Sequence, residues 1–437
     1  MSAPRDDGLL ARRRRTIGPS LSLSYRRPLT IVRGAGSYLY DADGRAYLDL
    51  VNNVAHVGHA HPRVVDAAAS QKALLETNTR YLHPAILDYT ERLIATLPAP
   101  LEVAYLVNSG SEANELALRL ARAVTGRRDV AVLEGGYHGN TTGLVDISPY
   151  KFDGPGGAGR PDHVHIAPVP DPYRGRHRGA TAESGAAYAA DLGAVLAEAA
   201  AAGWPVGAVI LESAPGSAGQ VVPPPGYLSA AFEAARAGGA VSIADEVQVG
   251  LGRVGRAWWS FQLDGAIPDI VTMGKPLGNG HPLGAVVTTR AIADAFANGM
   301  EYFNTFGGNP VSAAVGLAVL DVIEDEGLRA RATASGDRFM AGLFALAERH
   351  EAIGDVRGQG LFIGVVLVRD RASREPATGL ANALVEAAVE RGILLSTDGP
   401  AHDTLKIKPP LVIEPADIDR VIETLDTLLI ELGSDAG

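Results

Sequence analysis

The sequence predicts an α/β fold, with a mainly parallel central sheet covered by helices on both faces and a smaller α+β domain beside it. Two observations predict it. From about Asp66, apolar runs of strand length alternate with helical stretches: "VAYLVN", "VAVLE", "VGAVILE", "AVSIADEV", "DIVTMG" and "AVVTT". Strands separated by helices pair in parallel, and such a sheet is buried on both faces. The second observation concerns the ends of these runs. Glycines, an aromatic ring, carboxylates and a lysine appear there in turn, at the strand ends where open α/β sheets bind ligands.

The first fifty residues read as short strands broken by turn signals at Gly34-Ala35-Gly36 and Asp43-Gly44. The most loop-like segment is "DGPGGAGRPDHV", Asp153 to Val164, and the Ala-rich stretch from Ala180 to Ala202 is a helix candidate. "GNPVSAAVGLAVLDVIEDEGL" predicts a long amphipathic helix. A further set of strands and helices runs from about Asp355 to the end. "RGQGLFIG" has the glycine spacing of a dinucleotide loop, but it leads into an apolar strand instead of linking a strand to a helix. No dinucleotide site is expected there.

The bulk composition narrows the function. The 437 residues suffice for two domains, or for one large domain with a satellite. A net charge of -11 argues against a nucleic-acid partner. Any anionic ligand must therefore find local positive groups. Without cysteine there is no disulfide, thiolate metal site or thiol nucleophile. A cytoplasmic location fits that composition. The basic run "ARRRRTIGPS" comes after Asp6 and Asp7 and has no apolar segment behind it, so it reads as a solvated turn or helix end. No stretch approaches the ~20 apolar residues of a membrane span.

The chemistry concentrates at the strand ends. "VAYLVN" is followed by Ser109-Gly110-Ser111, where Ser109 and Glu112 fit a capping box opening a helix. Ala113, Leu116, Ala117, Leu120 and Val124 would form its apolar stripe. Free N–H groups at such a helix start bind anions. "VAVLE" is followed by Gly135, Gly136, Tyr137 and His138; "VGAVIL" ends at Glu212, "AVSIA" at Asp245 and "DIVTMG" at Lys275. The chain has only five lysines, Lys72, Lys151, Lys275, Lys406 and Lys408. Arginine cannot lose its proton, whereas a buried lysine can. A lysine closing an apolar run therefore suggests a required amine. A phosphate cradle, a stacking ring, a strand-end aspartate and a lysine together are what pyridoxal 5'-phosphate needs. Lys275 would bond its aldehyde carbon, Asp245 would keep its ring nitrogen protonated, and Tyr137 would stack on its face. His56, His59 and His61 in "HVGHAH" lack a carboxylate or cysteine at ligand spacing, so no metal site is expected.

With these residues in place, the chain resembles the class III aminotransferase-like family of pyridoxal-phosphate enzymes, fold type I. The motifs are "NSGSEAN", "YHG", "DEVQVGLGRVG", "GKPLGNGHPLGA", "FNTFGGNPVSAAVGLAVL", "VRGQGLFIG" and "LKIKPPL", in the family's order over nearly the whole chain. The resemblance implies that Lys275 is the Schiff-base lysine and Asp245 the partner of the pyridine nitrogen. It implies Gly110 and Ser111 on the cofactor phosphate and Tyr137 on the ring, with His138 and Glu212 beside it. Val247 would lie against the ring and Gln248 near its phenolic oxygen. Thr305 in "NTFGG" would reach the cofactor phosphate of a neighbouring subunit, which implies a homodimer or a dimer of dimers. It also implies a large cofactor domain over residues 60–320. A small domain would be built from 321–437 together with the N-terminal segment 1–59.

A narrower resemblance points to the phospho-lyase branch, whose members eliminate phosphate from phosphorylated amines such as phosphoethanolamine. It is carried by "NNVAHVGHAHP", "ISPYKF", "GMEYFNTFGGNPVSAAVGLAVLDVIE" and "LLSTDGPAHDTLKIKPPL", among other segments. Ordinary aminotransferases of the class carry arginine three residues before the Pro-Pro of "PPL", where this chain has Lys406. A guanidinium fork suits a bidentate carboxylate, whereas an ammonium is a point charge that can hold phosphate. The alternative is a replacement without function. Lys408 can be read as a strand-face charge only. Tyr25, Asn53 and Arg26 are further substrate-site candidates, from the N-terminal segment. The competing function is an ω-aminotransferase passing nitrogen to pyruvate or 2-oxoglutarate. A non-catalytic binding protein on the same scaffold is a third reading, which the presence of both Lys275 and Asp245 disfavours.

Overall fold

The computed structural model describes residues 6–433. After the helix Asp6–Thr16, whose last turn carries Arg13, Arg14 and Arg15, come three short strands: β1 (Ile31–Ala35), β2 (Tyr38–Asp41) and β3 (Ala46–Asp49). They form an antiparallel meander, and β3 pairs in parallel with Ile393–Leu394 near the other end of the chain.

The largest sheet contains β4 (Val103–Val107), β5 (Val130–Leu133), β6 (Val164–Ala167), β7 (Ala208–Glu212), β8 (Val241–Asp245), β9 (Ile270–Met273) and β10 (Gly284–Thr288). Its order is β4-β10-β9-β8-β7-β5-β6. The pairs among β5 to β9 are parallel, and β10 runs antiparallel to both neighbours. The expected loop at 153–164 ends where β6 begins. That edge strand is four residues long and carries His165, so its apolar signal is weak.

Both faces of this sheet are packed. Val209 and Leu211 join Leu192 and Phe232, from the helices Ala182–Ala201 and Tyr227–Ala237, in one core cluster. Ala208 and Ile210 join Leu116 and Leu120, from the helix Gly110–Thr125, in the cluster on the other side. This explains the unbroken apolar runs, since each buried Leu or Ile contributes about 1.5–3 kcal/mol and neither face can be polar. Two expectations need correction. Val124 lies outside the apolar stripe and is exposed, and Ala121 is buried instead. The helix Pro310–Asp325 is not amphipathic but buried on almost every side, against the helices Pro62–Leu74 and Pro84–Ala95. Gly316 permits that packing, because a Cβ there would meet the Tyr89 ring at 2.4 Å.

The chain then builds β11 (Ile353–Gln359), β12 (Phe362–Asp370), β13 (Glu375–Pro376), β14 (Ile393–Leu394), β15 (Ser396–Asp398) and β16 (Thr404–Ile407). An antiparallel sheet of order β11-β12-β16-β15 results, with β13 on the flank of β12. "RGQGLF" is the β11–β12 hairpin, turning at Gly360 with φ +54°, and opens no helix. No helix among the described residues is long and apolar enough to cross a membrane.

Candidate active site

The parallel register sets the site. Glu212 stands opposite Asp245, and Asp245 opposite Thr272, so the ends of β7, β8 and β9 are level. The chain leaves β9 through Gly274 and turns at once into the short 3-10 helix Lys275–Gly278. Two carboxylates and an amine thus converge at one sheet edge.

The helix Gly110–Thr125 starts beside them. Ser109 Oγ accepts from Glu112 N at 3.1 Å. The Glu112 carboxylate does not return to Ser109 N as a closed capping box would. It accepts from Asn108 N at 2.8 Å and Asn108 Nδ2 at 2.9 Å. The N–H groups of Gly110 and Ser111 lie in the first turn, where a helix supplies no partner of its own. Glycine is needed at 110, because a Cβ there would lie 2.7 Å from Val247 Cγ1.

A cleft of about 220 Å³ opens at this point. Of the cofactor residues expected from the sequence, the structure brings Gly110, Ser111, Tyr137, His138, Glu212, Asp245, Val247, Gln248 and Lys275 to its walls. Asp245 Oδ2 accepts from Asn114 Nδ2 at 2.8 Å and pairs with His138 Nδ1 at 2.9 Å. Its Oδ1 accepts from Val247 N at 3.1 Å. Glu212 accepts from Tyr137 N at 3.3 Å and Gly216 N at 3.0 Å. Burial raises the Glu212 carboxyl above the usual range, and the charge of Asp245 adds to that. Burial also lowers the Lys275 ammonium, assisted by the positive charge of Lys406 and opposed by Asp245 and Glu212. An amine that deprotonates readily is a nucleophile and a base.

Thr305 is not in this cleft. It is exposed in the segment before Pro310, beside the exposed Phe306. Lys406 stands on β16 and does not line the cleft, though its charge reaches Lys275, and its Nζ lies 3.4 Å from Asp398 Oδ2. Asp398 also accepts from Gln220 Nε2 at 2.6 Å, and that amide in turn donates to Gly216 O at 3.0 Å. The other substrate candidates are placed elsewhere. The Tyr25 hydroxyl donates to Leu395 O at 3.2 Å and faces a separate recess with Arg27, Asp41 and Glu386. Arg26 is exposed, its backbone N–H bonded to Glu386, and Asn53 does not line the cleft. The histidine trio disperses. His56 bonds Leu251 O, His59 bonds Asp49 and His61 bonds Glu326. Among the described residues no group of three His, Cys, Asp or Glu side chains could hold a metal ion.

Sequence reading missed three contributors. Asn114 sits in the quoted "NSGSEAN", but its bond to Asp245 spans 131 positions. Gly216 and Gln220 are known only from the fold, since nothing in "APGSAGQVV" marks them as joining Glu212 to Asp398. Lys408 is fully buried and bonded to Gln248, so it is not an exposed strand-face charge.

These residues fit pyridoxal 5'-phosphate. The glycine cradle admits an anion against the helix start, the bonded carboxylate of Asp245 faces the same cleft, and the buried amine of Lys275 stands at its edge. Comparison with known proteins agrees. The family model for aminotransferase class III matches residues 22–429. An alanine–glyoxylate aminotransferase 2-like protein of Drosophila melanogaster is 48% identical, covering 94% of this chain and 84% of that protein. An ethanolamine-phosphate phospho-lyase homolog of Caenorhabditis elegans is 43% identical over 96% of this chain and 93% of its own length. Among solved structures, a phospholyase from Arthrobacter in complex with phosphoethanolamine superposes with a TM-score of 0.92 at 42% identity, covering 97% of this chain and 99% of that one. The chain belongs to the class III aminotransferase family of pyridoxal-phosphate enzymes.

Proposed function

We propose that this protein eliminates phosphate from a phosphorylated amine, with O-phosphoethanolamine converted to acetaldehyde, ammonia and phosphate. The observation that carries this reading is Lys406. Where an aminotransferase of the class holds a substrate carboxylate with arginine, this chain offers an ammonium, partnered by Asp398 and close enough to Lys275 to affect its charge. A point charge can hold a phosphate but is a poorer clamp for a planar carboxylate. The likeness to a phospholyase that binds phosphoethanolamine supports it.

The chain's residues divide the work. Gly110 and Ser111 would hold the cofactor phosphate at the helix start, and Tyr137 and Val247 would lie against its ring. When bound, the cofactor supplies an electron sink for a carbanion beside the substrate nitrogen. Asp245, fixed by Asn114 and His138, keeps a proton on the ring nitrogen. Lys275 takes the proton from the substrate carbon that bears the nitrogen. The neighbouring carbon–oxygen bond breaks, and its electron pair leaves with phosphate, which Lys406 attracts. The two-carbon enamine is released, tautomerises and takes up water to give acetaldehyde and ammonia. No keto acid is consumed.

A homodimer belongs to this reading. Leu74, Tyr81, Leu82, Met300 and Phe306 are exposed, and Leu82 is 97% so. Their two segments adjoin, since Arg80 pairs with Glu301 at 3.0 Å and covers the Phe303 ring at 4.0 Å. Thr305 lies in the same patch, so a second subunit covering it would receive Thr305 near its own cleft. The curated relatives named as alanine–glyoxylate aminotransferases favour a second reading, amino transfer to a keto acid.

The test is phosphate and acetaldehyde release from phosphoethanolamine, with cofactor present and all keto acids excluded. Stoichiometric release is expected. Turnover of amines only when pyruvate, glyoxylate or 2-oxoglutarate is added would establish the second reading. A companion test addresses the site: Lys275→Ala should abolish the visible absorbance of the lysine-bound cofactor, and a band that survives dialysis would refute the assignment.

A further inference from the structure

Lys408 is a buried charged residue that the proposed mechanism leaves unused. It is fully buried just beyond β16, with no carboxylate within ion-pair distance among the described residues. Its backbone N–H bonds Leu50 O at 2.8 Å, and its Nζ stands 4.6 Å from the centre of the Phe362 ring. Among the described residues, its Nζ donates a single hydrogen bond, to Gln248 Oε1 at 2.9 Å. Gln248 is a wall of the cofactor cleft. With its oxygen committed to Lys408, the Gln248 amide keeps its Nε2 donor without a protein partner among the described residues.

Space has been cleared for this pair. A Cβ on Gly216 would lie 2.9 Å from Gln248 Nε2 and 3.2 Å from Lys408 Nζ. Three separate loops, after β7, β8 and β16, therefore converge on one amide. An ammonium has donors only, so it accepts just one orientation of a glutamine amide. A neutral amine both donates and accepts, so the protonated form is the one that fixes the orientation, and a glutamine free of any partner could turn either atom to the cleft.

We infer that Lys408 is a positioning residue, which locks the Gln248 amide with Nε2 presented to the cofactor's ring oxygen. The inference rests on the reading of the cleft as the cofactor site. The charged groups around Lys408 are Lys406, Asp398, Glu212 and Lys275. Burial and the two lysines lower its ammonium well below the ordinary range, and the carboxylates oppose that. The amide orientation is thus held by a group that gains from any negative charge entering the cleft. A donor on the ring oxygen weakens that oxygen's hold on the proton shared with the lysine-bound nitrogen. Removing the donor should keep the proton on to higher pH.

The experiment is a spectral pH titration of the holoenzyme, following the visible band of the lysine-bound cofactor. Gln248→Met should move the titration midpoint upward by roughly one pH unit, the scale of one hydrogen bond to a charged group. Lys408→Met should move it upward by a similar amount, and the double variant no further than either alone. An unchanged midpoint in Lys408→Met, with the Gln248→Met shift present, would overturn the inference. So would two shifts that add, because Lys408 would then act by its charge and not through Gln248. If Lys408→Met does not fold, Gly216→Ala wedges the pair apart while keeping both side chains, and the same upward shift is expected; no shift refutes the proposal. A Gln248→Met variant with the wild-type midpoint would remove Gln248 from the ring oxygen, and the positioning role with it. A wild-type holoenzyme with no visible band would instead refute the cofactor reading.

Discussion

Asn114 Nδ2 lies 2.8 Å from Asp245 Oδ2 and 2.7 Å from His138 O, so one amide joins the helix that opens at Gly110, the end of β8 and the loop after β5. Both acceptors are buried, and a donor removed from a buried carboxylate costs about 1.5–3 kcal/mol. Asn114→Ala should therefore lower kcat by roughly 10- to 100-fold while leaving KM for the phosphorylated amine within a few-fold. Steady-state kinetics on the cofactor-saturated variant decide this. A loss confined to KM would mean that Asn114 acts on substrate and not on Asp245.

Gly110→Ala addresses the anion cradle. The added methyl would sit 2.7 Å and 2.8 Å from the two methyls of Val247, so the wall must move into the cleft. Alanine is the better helix former, and the apo protein should keep its melting temperature. Cofactor affinity should fall by at least ~10-fold, the scale of one lost charge-assisted bond. Fluorescence titration of the apo variant with pyridoxal 5'-phosphate measures it.

Substitutions at Lys406 test phosphate recognition apart from cofactor binding. Lys406→Met should raise KM for phosphoethanolamine by about 10- to 100-fold with the visible band intact, the range for one partly desolvated charge contact. Lys406→Arg should retain more phosphate release than Met and gain amino transfer from α-amino acids, since the fork binds carboxylate. Equal activity of all three proteins on phosphoethanolamine would remove Lys406 from the substrate site.

His56 makes stability pH-dependent. Its Nδ1 faces Arg253 Nη2 at 3.2 Å and its Nε2 faces Leu251 O at 2.6 Å, so the ring is neutral and accepts from the guanidinium. Burial, with the Arg253 charge, lowers its pKa to about 3 from an ordinary 6.5. The unfolded chain therefore binds the extra proton first as pH falls. The contribution is complete above pH 6.5 and is lost progressively down to about 3. Between pH 6.5 and 5 the loss should be about 1.6 kcal/mol. Urea unfolding should find His56→Asn less stable at neutral pH but flatter across this interval. Parallel curves for the two proteins would locate the acid sensitivity elsewhere.

Much of this was legible in the sequence because it is local. Apolar runs of strand length named β4, β5, β7, β8, β9 and β10, since a strand buried on both faces has no polar parity to blur it. Apart from antiparallel β10, each of these runs leads at its carboxyl end toward the same sheet edge, since strands that run the same way deliver their ends there. Glu212, Asp245 and Lys275 could be named from that rule before their register was known. The helix at Pro310 was legible as a helix but not as a buried one, because its Asp, Glu and Ser residues resemble a polar face until neighbouring helices cover the rest. Edge strand β6 was too short and too polar to signal.

By itself, then, the sequence determined the strand–helix alternation, the glycine at the helix start at 110 and the lysine that follows the β9 run at 275, all of which depend on residues close together in the chain. Only the tertiary structure decided the bonds between distant segments. Asn114 reaches Asp245, Gly216 clears room for Gln248 and Lys408, and the Tyr25 hydroxyl bonds Leu395 O. A buried donor must find an acceptor, but which one it finds is set by how the loops after β7, β8 and β16 pack together, and no spacing along the chain encodes that meeting.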